Sequence, residues 1–261
     1  MLSRESEIYD HALVDSETGE IEEFDPVIFT NVIRPREVDF IARALKTRQG
    51  MRVLDLGCGG GWMTRTLGRL GHDVVGVDVS RGILMAASKV AETRGRLLRA
   101  DGHNLPFRNG MFDAIVCVGA LHHTDLKRLL PELERVVNRN GILVFLEPNK
   151  FNPFSAVGRH LFPMSTHTPG EKPYGPRQLR AELSSNGWET EEFETLFLYS
   201  LALSYVLRRM NWTRAASKVV DLVDRHERKM EKWFSVLPVG AVILGTARPP
   251  AALGASGGRD E

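Results

Sequence analysis

The sequence predicts an α/β protein built on a mostly parallel sheet with helices on both faces. Two observations lead there. From residue 51 to 149, short apolar runs alternate with amphipathic helical stretches across short connections, the rhythm of βαβ units. Four glycines, Gly57, Gly59, Gly60 and Gly61, cluster in VLDLGCGGGWM, where the first apolar run meets the first amphipathic one. Glycine loses more backbone freedom on folding than any other residue, so such a cluster marks a place where something approaches bare backbone. In open α/β sheets, ligands bind at the carboxyl ends of the strands.

The elements follow in order. Residues 1–34 are rich in acids and poor in periodic apolar positions, and read as an irregular arm. PREVDFIARAL (35–45) puts Val38, Ile41, Ala42 and Leu45 on one helical face, with Pro35 suited to a first turn. MRVLDLG is a strand buried on both faces, as a parallel sheet requires. WMTRTLGRLG is a helix capped by Gly71, DVVGVDVS the second strand, and RGILMAASKVAETRG a helix capped by Ser80. GRLLRADG and FDAIVCVGAL are strands three and four. DLKRLLPELERVVNRNG is a helix that Gly141 stops, and GILVFLEPN is strand five.

After Asn149 the rhythm breaks. Residues 150–176 are rich in proline and aromatic side chains, which suits a lid or binding loop inserted in the core. RQLRAELSSNGWETEEFETLFLY reads as a helix, a glycine turn and a strand with Phe193, Thr195, Phe197 and Tyr199 on one face. A helical insertion occupies about 200–235. Its second helix carries Ala216, Val219, Val220, Val223, Met230, Trp233 and Phe234 along an apolar stripe. VGAVILGTARP is the last strand, so the core divides into 35–149 and 177–249, and 250–261 reads as a disordered tail.

Composition narrows the class. Apolar residues make up 43% and charged residues 26%, and 34 basic side chains balance 33 acidic ones. That balance favours a globular protein and gives no reason to expect nucleic acid as a partner. The two cysteines, Cys58 and Cys117, lack metal-ligand spacing; reduced cytoplasmic thiols and no metal are expected. The N-terminus is too polar for a signal peptide. The longest apolar run, Leu196–Leu207, is too short to cross a bilayer. A membrane-surface contact through 196–210 is the alternative to its burial.

The glycines do not fit a dinucleotide loop, because Trp62 stands where G-x-G-x-x-G needs its third glycine. They fit D-x-G-x-G-x-G, with Asp55, Gly57, Gly59 and Gly61. Asp55 can bond backbone or a ligand ammonium. Asp78 ends the second strand, where a carboxylate can accept both hydroxyls of a ribose. Asp101 follows the third strand and can accept from an exocyclic amine.

These residues, with the run FDAIVCVGALHH and RVVNRNGILVFLEPN, resemble the class I S-adenosylmethionine-dependent methyltransferases, in the small-molecule branch that includes UbiE-like enzymes. The resemblance implies a Rossmann-like sheet of seven strands, mostly parallel with the last antiparallel, and S-adenosylmethionine as cofactor. It implies that Asp55, Gly57, Cys58, Gly59 and Gly61 hold the methionine part, and Asp78 with Val79 the ribose. Asp101 and Gly102 would flank the adenine, and Val118 and Gly119 would line the methyl-donor side.

Methyl transfer from a sulfonium mainly requires alignment, and a base only where the acceptor must lose a proton. His122 and His123 after strand four are candidate bases. His160, His167 and Tyr174 in the proline-rich segment are candidates for base or substrate contact, and Tyr9 and His11 for closing over the cofactor. VGALHH lacks the Asn/Asp-Pro-Pro-aromatic motif of amino-methylating enzymes of this kind, and no Pro-Cys or metal-binding acid cluster is present. The basic residues Arg208, Arg209, Arg214, Arg225, Arg228, Lys229 and Lys232 interleave with Asp221, Asp224, Glu227 and Glu231, which reads as a solvated helix face. The expected activity is methyl transfer to a small, partly apolar acceptor at oxygen. The alternatives are a non-catalytic cofactor-binding scaffold with a protein partner, or a C- or N-methyltransferase on a lipid-linked or natural-product substrate.

Overall fold

In the computed structural model the described residues are 28–45, 49–89, 96–155, 173–210, 213–233 and 237–250. Seven strands form one sheet in the order β3-β2-β1-β4-β5-β7-β6: β1 Arg52–Leu56, β2 Asp73–Asp78, β3 Leu97–Arg99, β4 Phe112–Val118, β5 Val137–Pro148, β6 Glu189–Leu196 and β7 Val242–Arg248. The first five pair in parallel, and β7 runs antiparallel to both β5 and β6. The helices are α1 Arg34–Ala44, α2 Trp62–Arg69, α3 Arg81–Ala87, α4 Leu126–Val136, α5 Pro176–Ser185, α6 Ser200–Arg209 and α7 Thr213–Trp233.

Strand alternation splits the core into two layers. Val53, Ala114, Val116, Val144 and Leu244 point toward one face, where Phe40, Ile41, Met63, Leu67 and Leu207 of α1, α2 and α6 cover them. Leu54, Ile115, Cys117, Leu143 and Ile243 point the other way, onto Leu129, Leu133, Leu179 and Leu183 of α4 and α5. Strands β1, β4, β5 and β7 are thus apolar on both sides, whereas β3 and β6 at the two edges of the sheet are largely exposed or half-buried. The register aligns Leu56 with Val77 and Cys117, and Val118 with Leu146, so the strand exits share one edge. Gly71 and Ser80 end and start their helices as expected: Gly71 has φ +89°, and the Ser80 hydroxyl accepts from Ile83 N.

Four local readings change. Helical backbone starts before Pro35, in a π turn over Phe29–Ile33 whose Val32 and Ile33 are buried. The helix after Asp125 ends at Val136, not at Gly141. Residues 138–141 instead bulge out of β5, between the pairs Phe112–Val137 and Ala114–Ile142. Asp113 holds that bulge, accepting from Asn138 Nδ2 at 2.7 Å and from Arg52 N at 2.8 Å. The alternation in β6 stops at Leu196, because Phe197 adopts φ +62°. The last apolar position of α7, Trp233, faces outward at 72% exposure, while Val223 is buried. The side chains of Ala216 and Val219, and residue Phe234, lie outside the described residues, as do residues 1–27 and 251–261.

Two buried asparagines tie the end of β5 to the approach to β7. Asn149 Nδ2 donates to Pro238 O and Gly240 O, and Asn152 Nδ2 donates to Leu198 O and Val239 O. Segment 237–241 has no sheet partners of its own, so these amides satisfy its carbonyls. Asn149→Ala strands two of those acceptors. It is expected to lower stability by about 2–3 kcal/mol, read as a lower urea midpoint with an unchanged m-value.

Candidate active site

The loop from β1 to α2 is shaped by left-handed glycines. Gly57, Gly59 and Gly61 have φ +72°, +49° and +77°. At Gly57 a Cβ would sit 2.5 Å from Ala120 Cβ, so this glycine lets the first loop touch the loop after β4. At Gly59 a Cβ would meet nothing within 4 Å. The loop therefore presents bare backbone to open space there, as a ligand cradle requires. Gly57 N and Cys58 N both donate to Val77 O, at 2.8 and 3.0 Å, binding the loop to the end of β2.

Asp78 stands at the end of β2. Its Oδ2 accepts from Gly59 N at 2.9 Å and its Oδ1 from Ser80 N at 2.8 Å. One carboxylate thus fixes the glycine loop and the start of α3 together. Val79 follows it and accepts from Arg99 Nε at 3.0 Å through its carbonyl.

Asp55 lies behind the loop at 1% exposure, and its Oδ2 accepts from Thr64 Oγ1 of α2 at 2.6 Å. It joins strand to helix and does not stand at the surface of the cradle. Its carboxyl is pushed up to about 7; burial is the largest cause, Thr64 opposes it and Asp78 adds to it. The thiols of Cys58 and Cys117 are free and buried, and burial pushes both up.

Asp101 follows β3 and is exposed. His103 bonds its Oδ1 twice, from N at 2.9 Å and from Nδ1 at 2.8 Å. Partial burial raises the carboxyl and is the largest single influence; the two His103 bonds, with the charges of His103 and Arg128, outweigh it and hold the group below its usual range. Gly102 has room for little else, since a Cβ there would meet Leu129 Cδ1 at 3.2 Å. The turn beyond is fastened to α4 by Arg135, which donates to Leu105 O and Phe107 O, and by Glu132, which accepts from Leu105 N.

After β4, Gly119 has φ +66° and open space at its Cβ position. The next residues form a 3-10 turn, Leu121–His123, held by a residue that motif reading did not single out. Glu147, fully buried near the end of β5, accepts from Ala120 N and Leu121 N at Oε1 and from His122 N at Oε2. Its Oε2 also lies 2.7 Å from His122 Nδ1. The His123 ring lies 3.9 Å from that of His122. An acid inside the apolar run GILVFLEPN was the available signal, since a buried carboxylate demands partners.

Tyr174 is buried beside the end of β5, where its carbonyl accepts from Lys150 N. Burial, with Glu147 next in weight, pushes its hydroxyl up to about 12. His160, His167, Tyr9 and His11 lie outside the described residues.

The part of the chain that carries the cradle has counterparts in known proteins. Residues 54–145 match the family model of a methyltransferase domain. The chain is 30% identical over 177 residues to the ubiquinone biosynthesis O-methyltransferase of Azorhizobium caulinodans, covering 63% of this chain and 69% of that protein. This chain belongs to the class I S-adenosylmethionine-dependent methyltransferases. A second methyltransferase, the glycine/sarcosine N-methyltransferase of Parasynechococcus marenigrum, is 32% identical over 150 residues, covering 54% of this chain and 52% of that one. Among solved structures, a SAM dependent methyltransferase from Archaeoglobus fulgidus superposes with a TM-score of 0.56 at 19% identity, over 82% of this chain and 94% of that one. S-adenosylmethionine is therefore the cofactor of this methyltransferase. The open backbone at Gly59 and Gly119, with acids at the ends of β2 and β3, fits it.

The enclosure of Asp55 predicts a stability that depends on pH. The folded pKa of Asp55 lies above its ordinary 3.8, so the folded state binds the proton more tightly. The stability this contributes is present at low pH and lost as pH rises through about 7. Relative to Asp55→Asn, the wild-type protein should lose melting temperature between pH 4 and 8. The linked free energy is roughly 4 kcal/mol at most. Calorimetric scans of both proteins across that range test it; parallel curves would refute it.

Proposed function

We propose that this methyltransferase acts on a small, partly apolar acceptor at oxygen, with His122 as the general base. The observation that carries the reading is the 2.7 Å contact between His122 Nδ1 and the buried carboxylate of Glu147. A carboxylate can only accept, so Nδ1 carries the proton and the imidazole lone pair lies on Nε2. Glu147 also holds the His122 backbone, so ring and main chain share one anchor. This is the arrangement a base needs to take a proton from a hydroxyl, and it stabilises the imidazolium that results. An amine acceptor reacts as the free base and makes no such demand.

When bound, S-adenosylmethionine supplies an electrophilic methyl group on a sulfonium. Asp78 and Val79 would hold the ribose, Asp101 and Gly102 the adenine, and Gly57, Cys58, Gly59 and Gly61 the methionine part. His103, by occupying Oδ1 of Asp101, orients its carboxylate. Asp55 would favour the cofactor's cationic groups from behind the loop. Val118 and Gly119 would line the donor side. Trp62, Val118, Leu201, Leu203 and Val220 pack on the same core cluster while keeping partial exposure, which supports an apolar acceptor.

The test is transfer of labelled methyl to panels of phenols, quinols and sugars against amines and carbon acids. Hydroxyl acceptors are expected to turn over. His122→Gln should lower kcat by about 10²–10⁴ with cofactor affinity unchanged, and Glu147→Gln should lower it less. Preference for amines, or full activity in His122→Gln, would refute the reading. Separately, Asp78→Ala should weaken cofactor binding by about 10- to 100-fold, the loss of charge-assisted hydrogen bonds, measured by calorimetry.

A further inference from the structure

The charges of α7 alternate in sequence but not in space. Three of its four acids turn inward. Glu227 is fully buried and accepts from Tyr199 N and Ser200 N, at the start of α6. Glu231 accepts from Phe197 N and pairs with Arg36 of α1. Asp224 binds Arg228 and is largely covered. The bases in the described part of the helix turn outward: Arg225, Arg228, Lys229 and Lys232 are all exposed, and Asp221 is the one acid exposed among them there. Along the same side, Leu222, Arg225, Lys229 and Trp233 recur at helical spacing. Leu222 is 61% and Trp233 72% exposed, and Lys229 Nζ lies 5.8 Å from the Trp233 ring centre.

We infer that this outward face of α7 docks on an anionic membrane surface. The argument is charge complementarity combined with side-chain chemistry. A helix whose covered face packs on its own protein, and whose free face carries basic residues around a leucine and a tryptophan, has the make-up of an interfacial helix. Tryptophan favours the headgroup level, and long basic side chains reach the phosphates while their stems lie on apolar surface. The 196–210 segment suits this less well, because Ser200, Ser204 and Leu207 of α6 are buried. A nucleic acid fits less well too: the whole chain carries a net charge of only +1, and Leu222 offers no stacking surface. No described helix is long and apolar enough to cross a membrane, so the contact is with the surface. The inference does not rest on which acceptor is methylated.

Sedimentation with vesicles tests it in the full chain. Binding to phosphatidylglycerol–phosphatidylcholine vesicles should exceed binding to phosphatidylcholine alone and fall with added salt. Each basic residue near the surface is worth about fivefold, so Arg225→Gln/Lys229→Gln/Lys232→Gln should lower partitioning roughly 100-fold. Cofactor affinity of that variant, by calorimetry, should match the wild type and so report its folding. The fluorescence difference between wild type and Trp233→Phe should shift to the blue on anionic vesicles. Equal binding to both vesicle types, undiminished binding of the triple variant, or tighter binding to a polynucleotide than to anionic vesicles would each overturn the inference.

Discussion

The site hangs on one buried carboxylate. Glu147 has no exposure, and a charge in that position costs several kcal/mol unless it is paired and bonded. Three backbone N–H groups and the His122 ring answer it. Because all four donors come from residues 120–122, the carboxylate dictates the path of the chain leaving β4. That path sets Ala120 against Gly57, and the tightness of that meeting excludes any side chain at Gly57. The loop after β1 and the loop after β4 are therefore positioned from β5, one strand further along the sheet.

Asp78 plays the matching part on the other flank. Its two oxygens join Gly59 N and Ser80 N, so the glycine loop is held from β2 as well as from β4. Between these two acids the cradle needs no side chains of its own. Its glycines supply open backbone, and the neighbours supply rigidity. Asp55 works differently. Enclosed beneath the loop and bonded to Thr64, it keeps β1 and α2 in register, and its raised pKa is the consequence of that enclosure.

Much of this was legible in the sequence. Unbroken apolar strands separated by amphipathic helices pointed to the parallel part of the sheet, and acids at the ends of β1, β2 and β3 marked the edge where the site lies. What escaped was set by contacts between distant segments. Glu147 looked like one more residue of an apolar strand, because its partners lie 25 to 27 positions earlier. Gly141 looked like a helix stop, yet Asp113 and Asn138 turn that stretch into a bulge of β5. Phe197 continued a two-residue alternation that its left-handed backbone breaks, and Glu231 and Ala241 take up its main-chain N–H and carbonyl. The charges of α7 were readable one by one, but their sorting was not, since it depends on which face meets α1 and the chain before α6.

That sorting repeats the physics of Glu147 at a second place. Glu227 and Glu231 are also covered carboxylates that accept backbone N–H groups of a turn, the one at 197–200. A helix start leaves its first N–H groups without internal partners, and at the start of α6 Glu227 takes up those of Tyr199 and Ser200. Glu227 and Glu231 are thus consumed in holding the fold, and burial pushes the Glu227 carboxyl up to about 7. Arg225, Arg228, Lys229 and Lys232 have no equivalent inward role in the described contacts, and among them only Arg228 has an acidic partner there. A helix that spends its negative charge inside presents its positive charge outside. The basic outer face is then a by-product of how the helical insertion is fastened to the sheet, and the exposed Leu222 and Trp233 are what distinguish it from an ordinary solvated one.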